Sequence, residues 1–192
     1  MKRTLIAAAT LALAAALAGC GGEPTSDPSK SPSPTASPTA DPTWDNEFSP
    51  EQMANYEAAR TRWEEFFTKS NEARHRGKDS PETKAMFSEY SLQGPGEYSV
   101  FLDLYVNGKV RLEVPPKVLW TNASKIEGNT VIFNYCLDQT DMRIVNAEGE
   151  VNPSKPPYLR LITVQMEKTS KGWKQRGYLN QNKVRECART AP

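Results

Sequence analysis

Hydrophobic positions divide the 192-residue chain into three stretches of different character. Leu5 to Leu17 is an apolar run interrupted only by Thr10, residues 21 to 43 carry no large apolar side chain, and from Trp44 onward apolar positions recur with recognisable periods. In that third stretch Met53, Tyr56, Ala59, Trp63, Phe66 and Phe67 follow helical spacing and define one buried stripe. Ser49-Pro50-Glu51-Gln52 supplies the start of this helix, with Ser49 as N-cap, Pro50 at the first helical position and Gln52 closing a capping box. Phe48 and Met53 stand at the staple positions on either side. Arg60/Glu64 and Glu65/Lys69 are spaced four apart on the polar face, each pair worth about 0.2–0.5 kcal/mol. Gly77 ends the helix as a left-handed C-terminal residue. Ser80-Pro81-Glu82 opens a shorter helix carrying Met86, Phe87 and Tyr90.

After the break at Gly94-Pro95-Gly96 local pattern admits two structures. Tyr98 to Val106 and Lys109 to Val114, joined by Asn107-Gly108, fit a hairpin with a type I′ turn. The same residues fit a helix with Pro95 near its start and Gly108 just past its end. Beyond this point strands dominate: 118–125, 130–139 and 158–168 are rich in Val, Ile, Leu, Tyr and Phe, and 173–180 follows more weakly. Glu127-Gly128-Asn129 and Thr169-Ser170-Lys171-Gly172 separate neighbouring runs as hairpin turns, while 146–157, with three prolines, reads as an exposed loop. Helices followed by antiparallel strands predict an α+β fold with the helices covering one sheet face.

The first two stretches define a setting. Lys2 and Arg3 before the apolar run, and Ala18-Gly19 after it, have the layout of an export signal. At about 13 residues the run is too short to span a bilayer, which takes roughly 20. Leu17-Ala18-Gly19-Cys20 resembles the lipobox of bacterial prolipoproteins, which implies that the thiol of Cys20 is lipidated and that cleavage leaves it as the first residue. A diacylglyceryl group carries two acyl chains, enough for stable anchoring where one chain is marginal. Residues 21 to 43 hold six prolines among Ser, Thr, Ala and Asp, too little apolar surface to offset ordering and a composition that favours polyproline II. Fully extended, that stalk reaches roughly 70 Å. The expected division is therefore a signal peptide at 1–19, a lipidated cysteine and disordered linker at 20–44, and one domain at 45–192. The expected location is the extracellular face of the cell membrane.

Charge removes several classes of partner. Without Lys2, Arg3 and Lys30 the basic count falls from 24 to 21, and without Glu23, Asp27 and Asp41 the acidic count falls from 23 to 20. A nearly neutral domain lacks the basic footprint of a nucleic-acid binder. One histidine and two remaining cysteines are too few for a zinc site, and Asp138-Gln139-Thr140-Asp141 lacks the spacing of a calcium loop. No phosphate-binding or nucleophile motif stands in the chain, so no cofactor or metal is expected. Cys136 and Cys187 either pair, in a compartment that permits it, or remain as two buried thiols.

The strand Val131-Ile132-Phe133-Asn134-Tyr135-Cys136-Leu137-Asp138 carries a family likeness. With the Trp63/Phe66-bearing first helix, the Asn146-Ala147-Glu148-Gly149 turn, Gly172-Trp173 and the late Cys187, it makes residues 45–190 resemble actinobacterial-type lipoproteins of the nuclear transport factor 2-like superfamily. That resemblance implies a cystatin-like cone of helices on a curved antiparallel sheet. It also implies a Cys136–Cys187 disulfide and a helix, not a hairpin, at 95–106. Such cones often enclose a pocket, and Trp63, Phe67, Phe87, Tyr90, Trp120 and Tyr135 are the candidates to line it here.

Enzymes of that superfamily place an Asp, a His or a Tyr–Asp pair in the cone. His75, between Arg74 and Arg76 at a helix end, reads as a solvated residue at the negative end of the helix dipole. Asp138 shares a strand face with Asn134 and Cys136, opposite Phe133, Tyr135 and Leu137, and reads as a structural carboxylate bonding backbone or arginine near the cysteine pair. The expectation is a non-catalytic binding or accessory module, anchored to the membrane, for an envelope protein partner or a small apolar ligand. The alternative is an isomerase- or cyclase-type enzyme acting in the pocket.

Overall fold

Ser49 starts the longest element. Its hydroxyl accepts from the Gln52 N–H at 3.3 Å, Gln52 Oε1 accepts from the Ser49 N–H at 2.9 Å, and helix α1 (Pro50–Arg76) follows. The Gln52 amide also donates to the Ile126 carbonyl at 2.9 Å, which fixes the helix start to a strand far along the chain. The computed structural model describes residues 43–154, 158–179 and 185–189; the expected signal peptide, Cys20 and nearly all of the linker lie outside them. At its other end α1 stops at Gly77, whose φ of 59° is the left-handed region that glycine enters at no steric cost.

Helix α2 (Pro81–Tyr90) begins at Ser80, whose hydroxyl accepts from the Thr83 N–H at 3.1 Å. Helix α3 (Gly94–Phe101) then runs into a π-helical turn at Leu102–Asn107, closed by the Gly108 N–H on the Asp103 carbonyl at 3.0 Å. The ambiguous stretch is thus helical, and tertiary packing is the reason. Tyr98, Phe101 and Tyr105 form one stacked row with centroids 6.3 and 5.8 Å apart, and Phe87 of α2 lies 5.7 Å from Phe101. In a strand Tyr98 and Phe101 would point to opposite faces and only one could reach that neighbour. The left-handed residue after the turn is Lys109 (φ 52°), not Gly108.

The strands are β1 (Arg111–Val114), β2 (Lys117–Glu127), β3 (Thr130–Asp138), β4 (Arg143–Val145), β5 (Val151–Pro153), β6 (Leu159–Thr169), β7 (Gly172–Leu179) and β8 (Arg185–Glu186). They form a larger antiparallel sheet in the order β2-β3-β6-β7, with β8 also paired to β6, and a small antiparallel sheet in the order β1-β4-β5. The fold is α+β, three helices packed on antiparallel sheets. The region expected as one exposed loop, 146–157, instead contributes β5. The Asn146 side chain accepts from the Glu148 and Glu150 N–H groups at 3.1 and 2.8 Å and turns β4 into β5. Three-residue strands are too short to leave a period in the sequence.

Along β3 the inward residues are Phe133, Tyr135 and Leu137, as alternation requires. They meet Tyr56, Ala59 and Trp63 of α1, and Val164, Met166 and Trp173 from β6 and β7 complete that core. A second core lies among the helices, where Phe66 and Ala73 of α1 meet Met86, Phe87 and Tyr90 of α2 and Phe101 of α3. One ion pair forms as spaced, Arg60 to Glu64 at 3.0 Å. The other does not: Glu65 pairs with Arg62 at 2.9 Å, and Lys69 donates instead to the Tyr90 hydroxyl at 2.7 Å. On the outer face of β3, Cys136 is disulfide-bonded to Cys187 with Cα atoms 5.8 Å apart.

Candidate functional site

Where the C-terminal half of α1 leaves the larger sheet, the two layers part around a cavity of about 320 Å³. The floor comes from strand register. Tyr135 on β3 pairs with Ile162 on β6, and Leu137 with Arg160, so all four side chains rise from one face. Tyr178 closes the side from β7. The roof is one face of α1, where Phe67, Asn71 and Arg74 stand at helical spacing. Tyr105 from the π-helical turn, Leu112 from β1 and Ile144 from β4 form the remaining wall. The small sheet missing from the pattern of the sequence therefore supplies one side of the site. A second hollow of about 420 Å³ shares Phe67, Asn71, Leu112 and Pro116 with the first and continues it outward past Pro115 and His75.

The six aromatic candidates divide. Phe67 and Tyr135 line the cavity. Trp63 sits one layer deeper, with its ring centroid 4.4 Å from that of Tyr135 and 5.3 Å from that of Phe67. It backs the site without opening into it. Phe87 and Tyr90 belong to the inter-helix core, because α2 packs chiefly on α1 and α3 and meets the larger sheet only along β7. Trp120 stands opposite Cys136 in the β2–β3 register, on the outer face, and its indole N–H donates to the Ala188 carbonyl at 2.9 Å. Periodicity could mark all six as buried aromatics; only the angle of each element decides which border empty space.

The polar lining was not among those candidates. Arg74 Nη1 donates to Asn71 Oδ1 at 3.0 Å and to Ser70 Oγ at 3.5 Å, and its guanidinium lies 5.9 Å from the Tyr105 ring centroid. Among the described residues neither Arg74 nor Arg160 has a carboxylate within ion-pair distance. Arg160 is half-buried and faces Glu186 across the β6–β8 register. The available signal was the Phe67, Asn71, Arg74 spacing, which continues the buried stripe into what otherwise looks like a charged helix end.

Burial pushes the Tyr135 phenol well above its ordinary value and raises Tyr178, which stands against Tyr135 and Gln175. Both are therefore neutral hydroxyls at neutral pH, fit to donate or accept a hydrogen bond and not to act as phenolates. Behind this wall the Gln175 amide, fully buried, donates to Glu97 Oε1 at 3.0 Å, while Gln175 Oε1 and Glu97 Oε2 have no hydrogen-bond partner among the described residues. Burial raises the Glu97 carboxyl, against the opposing effects of Ser91, Gln175 and Arg74.

The two residues weighed for chemistry stand outside the cavity. His75 is exposed, with Nδ1 2.9 Å from the Leu112 carbonyl oxygen. Asp138 accepts from the Thr140 N–H at 2.9 Å and from Arg189 at 3.0 Å, beside the disulfide; the bonds from Thr140, then Arg189, hold its carboxyl below the ordinary range. Among the described residues no cluster of three or more His, Cys, Asp and Glu side chains could hold a metal, and no helix is long and apolar enough to cross a membrane. No protein-family model, curated protein or solved structure matches the chain.

Proposed function

We propose that this chain is a membrane-anchored, extracytoplasmic lipoprotein of the nuclear transport factor 2-like kind, whose domain binds a small, largely apolar ligand without transforming it. The observation that carries the binding role is the cavity between α1 and the larger sheet, open toward the hollow at Pro115. At about 320 Å³ it falls at the lower end of the roughly 300–1,000 Å³ typical of small-molecule sites, with a mostly apolar lining and a few converging polar groups. The three-helix, antiparallel-sheet layering and the Cys136–Cys187 bond are compatible with a cone of that superfamily. Anchoring rests on the Leu17-Ala18-Gly19-Cys20 motif and the proline-rich spacer after it.

A non-catalytic role is favoured because the described lining of the inner cavity contains no carboxylate, imidazole or thiol, Glu72 and His75 bordering only the outer hollow, and its phenols are held neutral. Glu97, the carboxyl group with a raised pKa, is engaged by Gln175 behind the wall. An isomerase or cyclase would need a base in contact with the guest. Association with an envelope protein is the second reading, favoured by Val100 and Leu104, which are 56% and 53% exposed four residues apart.

Native mass spectrometry of the chain extracted from cells tests the binding role. An adduct of small-molecule mass is expected, and Ile162→Trp, which fills the cavity floor, removes it. Bare chain in both forms refutes ligand carriage. Cys20→Ala is expected to abolish metabolic labelling with an alkyne fatty acid and to leave unprocessed precursor.

A further inference from the structure

The guest's chemistry can be taken further, on the assumption that the cavity is a binding site. Arg74 is half-buried on the roof, and its only hydrogen-bonding partners among the described residues are the neutral Asn71 and Ser70 side chains, both reached through Nη1. Nε and Nη2 have no protein partner there, yet they are not sealed in, since no Arg74 atom is among the buried unsatisfied ones. A guanidinium partly withdrawn from water, with no carboxylate at ion-pair distance among the described residues, is costly to the fold on its own. Glu97 acts on Arg74 only from behind the Gln175 wall: its carboxyl accepts from the Gln175 amide, and burial raises it against the pull of Arg74.

The other cation of the lining, Arg160, rises beside Leu137 on the floor. Arg74 and Arg160 are the two cations of the inner cavity, which has no anion among its described lining residues. Glu186 stands across the register from Arg160 and Glu72 borders the outer hollow, so the positive field centres on Arg74, where low-dielectric walls concentrate it. Everything else argues for an apolar body: Phe67, Leu112, Leu137, Ile144 and Ile162 surround the space below Arg74, and the second hollow extends the same wall outward. A planar guanidinium with two adjacent free N–H directions matches a carboxylate bidentately. The neutral hydroxyls of Tyr135 on the floor and Tyr178 at the side stand against each other, and the O–H that this contact leaves free is able to donate to the same head group.

We infer that the ligand is a monocarboxylate with an apolar body, its head group held by Arg74 and its chain laid along the Leu112–Leu137–Ile162 wall. Arg74 is the specificity-determining residue: it makes the cavity prefer an anion to a neutral molecule of the same shape.

Equilibrium dialysis of the full chain in nanodiscs, against empty nanodiscs, tests this with radiolabelled decanoate and decanol as probes. Decanoate is expected to bind above the empty-disc background, with decanol at least about tenfold weaker, since a hydrogen bond to a charged group is worth about 1.5–3 kcal/mol and tenfold is about 1.4. Arg74→Gln is expected to bring decanoate down to the decanol level. Equal binding of the two probes by the unaltered chain overturns the anion preference while leaving an apolar binding site, and it needs no variant to be folded. Decanoate binding unaffected in a folded Arg74→Gln chain overturns the assignment to Arg74. Binding of neither probe above background overturns both this inference and the binding role on which it rests.

Discussion

Removing the Cys136–Cys187 bond tests how the fold is held shut at its C-terminal end. The two residues are 51 apart in sequence, and between them lie β4 to β8. In the unfolded chain, closing a loop of that length removes about 4 kcal/mol of conformational freedom in the chain-entropy model. The native state returns part of this when the bond is cut. β8 has only two register pairs with β6, and its neighbours are held mainly by Trp120 on the Ala188 carbonyl and Arg189 on Asp138. A freed tail regains about 1–2 kcal/mol per released residue, less the contacts it gives up. The Cys136→Ala, Cys187→Ala double variant is therefore expected to lose about 2–4 kcal/mol, and its Tm about 10 °C for a domain of this size. Urea titration followed by far-UV circular dichroism reads the loss, and amide exchange should show lost protection at Arg185 and Glu186 of β8 before β6. A loss below about 1 kcal/mol, with the bond confirmed in the parent, would refute the view that this crosslink constrains the whole loop.

Three further outcomes follow from the packing. Trp63→Ala removes a side chain only 1% exposed that contacts Phe67, Phe133 and Tyr135, and should cost about 3–5 kcal/mol in chemical denaturation. Gly94→Ala sets a Cβ 2.4 Å from the Phe87 carbonyl oxygen, where α3 crosses the end of α2, and should cost about 1–3 kcal/mol in the same assay. Because burial raises the Glu97 carboxyl, the folded chain holds that proton at pH values where the unfolded chain has released it. Its contribution to stability is complete below the ordinary glutamate pKa, near 4.3, and falls as pH rises through the higher folded value. Glu97→Gln should abolish that decline, seen as the difference between the two Tm-against-pH curves, because its amide keeps the acceptor for Gln175 and carries no charge.

The residues legible in advance were those whose role is decided within a few positions of chain. Ser49 with Gln52, Ser80 before Pro81, Gly77, and the Glu127–Asn129 turn place helix ends and a hairpin through bonds that close locally. Alternation along β3 likewise sorted Phe133, Tyr135 and Leu137 inward and sent Asp138 out toward Arg189. Glu65 went the other way: a partner four residues along the helix lost to Arg62, because α2 presented Tyr90 to Lys69.

By itself the sequence determined the α+β order, the two long helix starts, the four main strands and, along β3, the face turned to the core, since backbone geometry and side-chain period act over short spans. Tertiary packing decided that 94–107 is helical, through a row of rings that only a helix can present to Phe87. It also decided that 143–153 folds into a small second sheet on β1. The cavity belongs wholly to that level. It is space left where α1, the π-helical turn and two sheets fail to meet, so no periodicity along one element could place Arg74 above Tyr135 and Ile162.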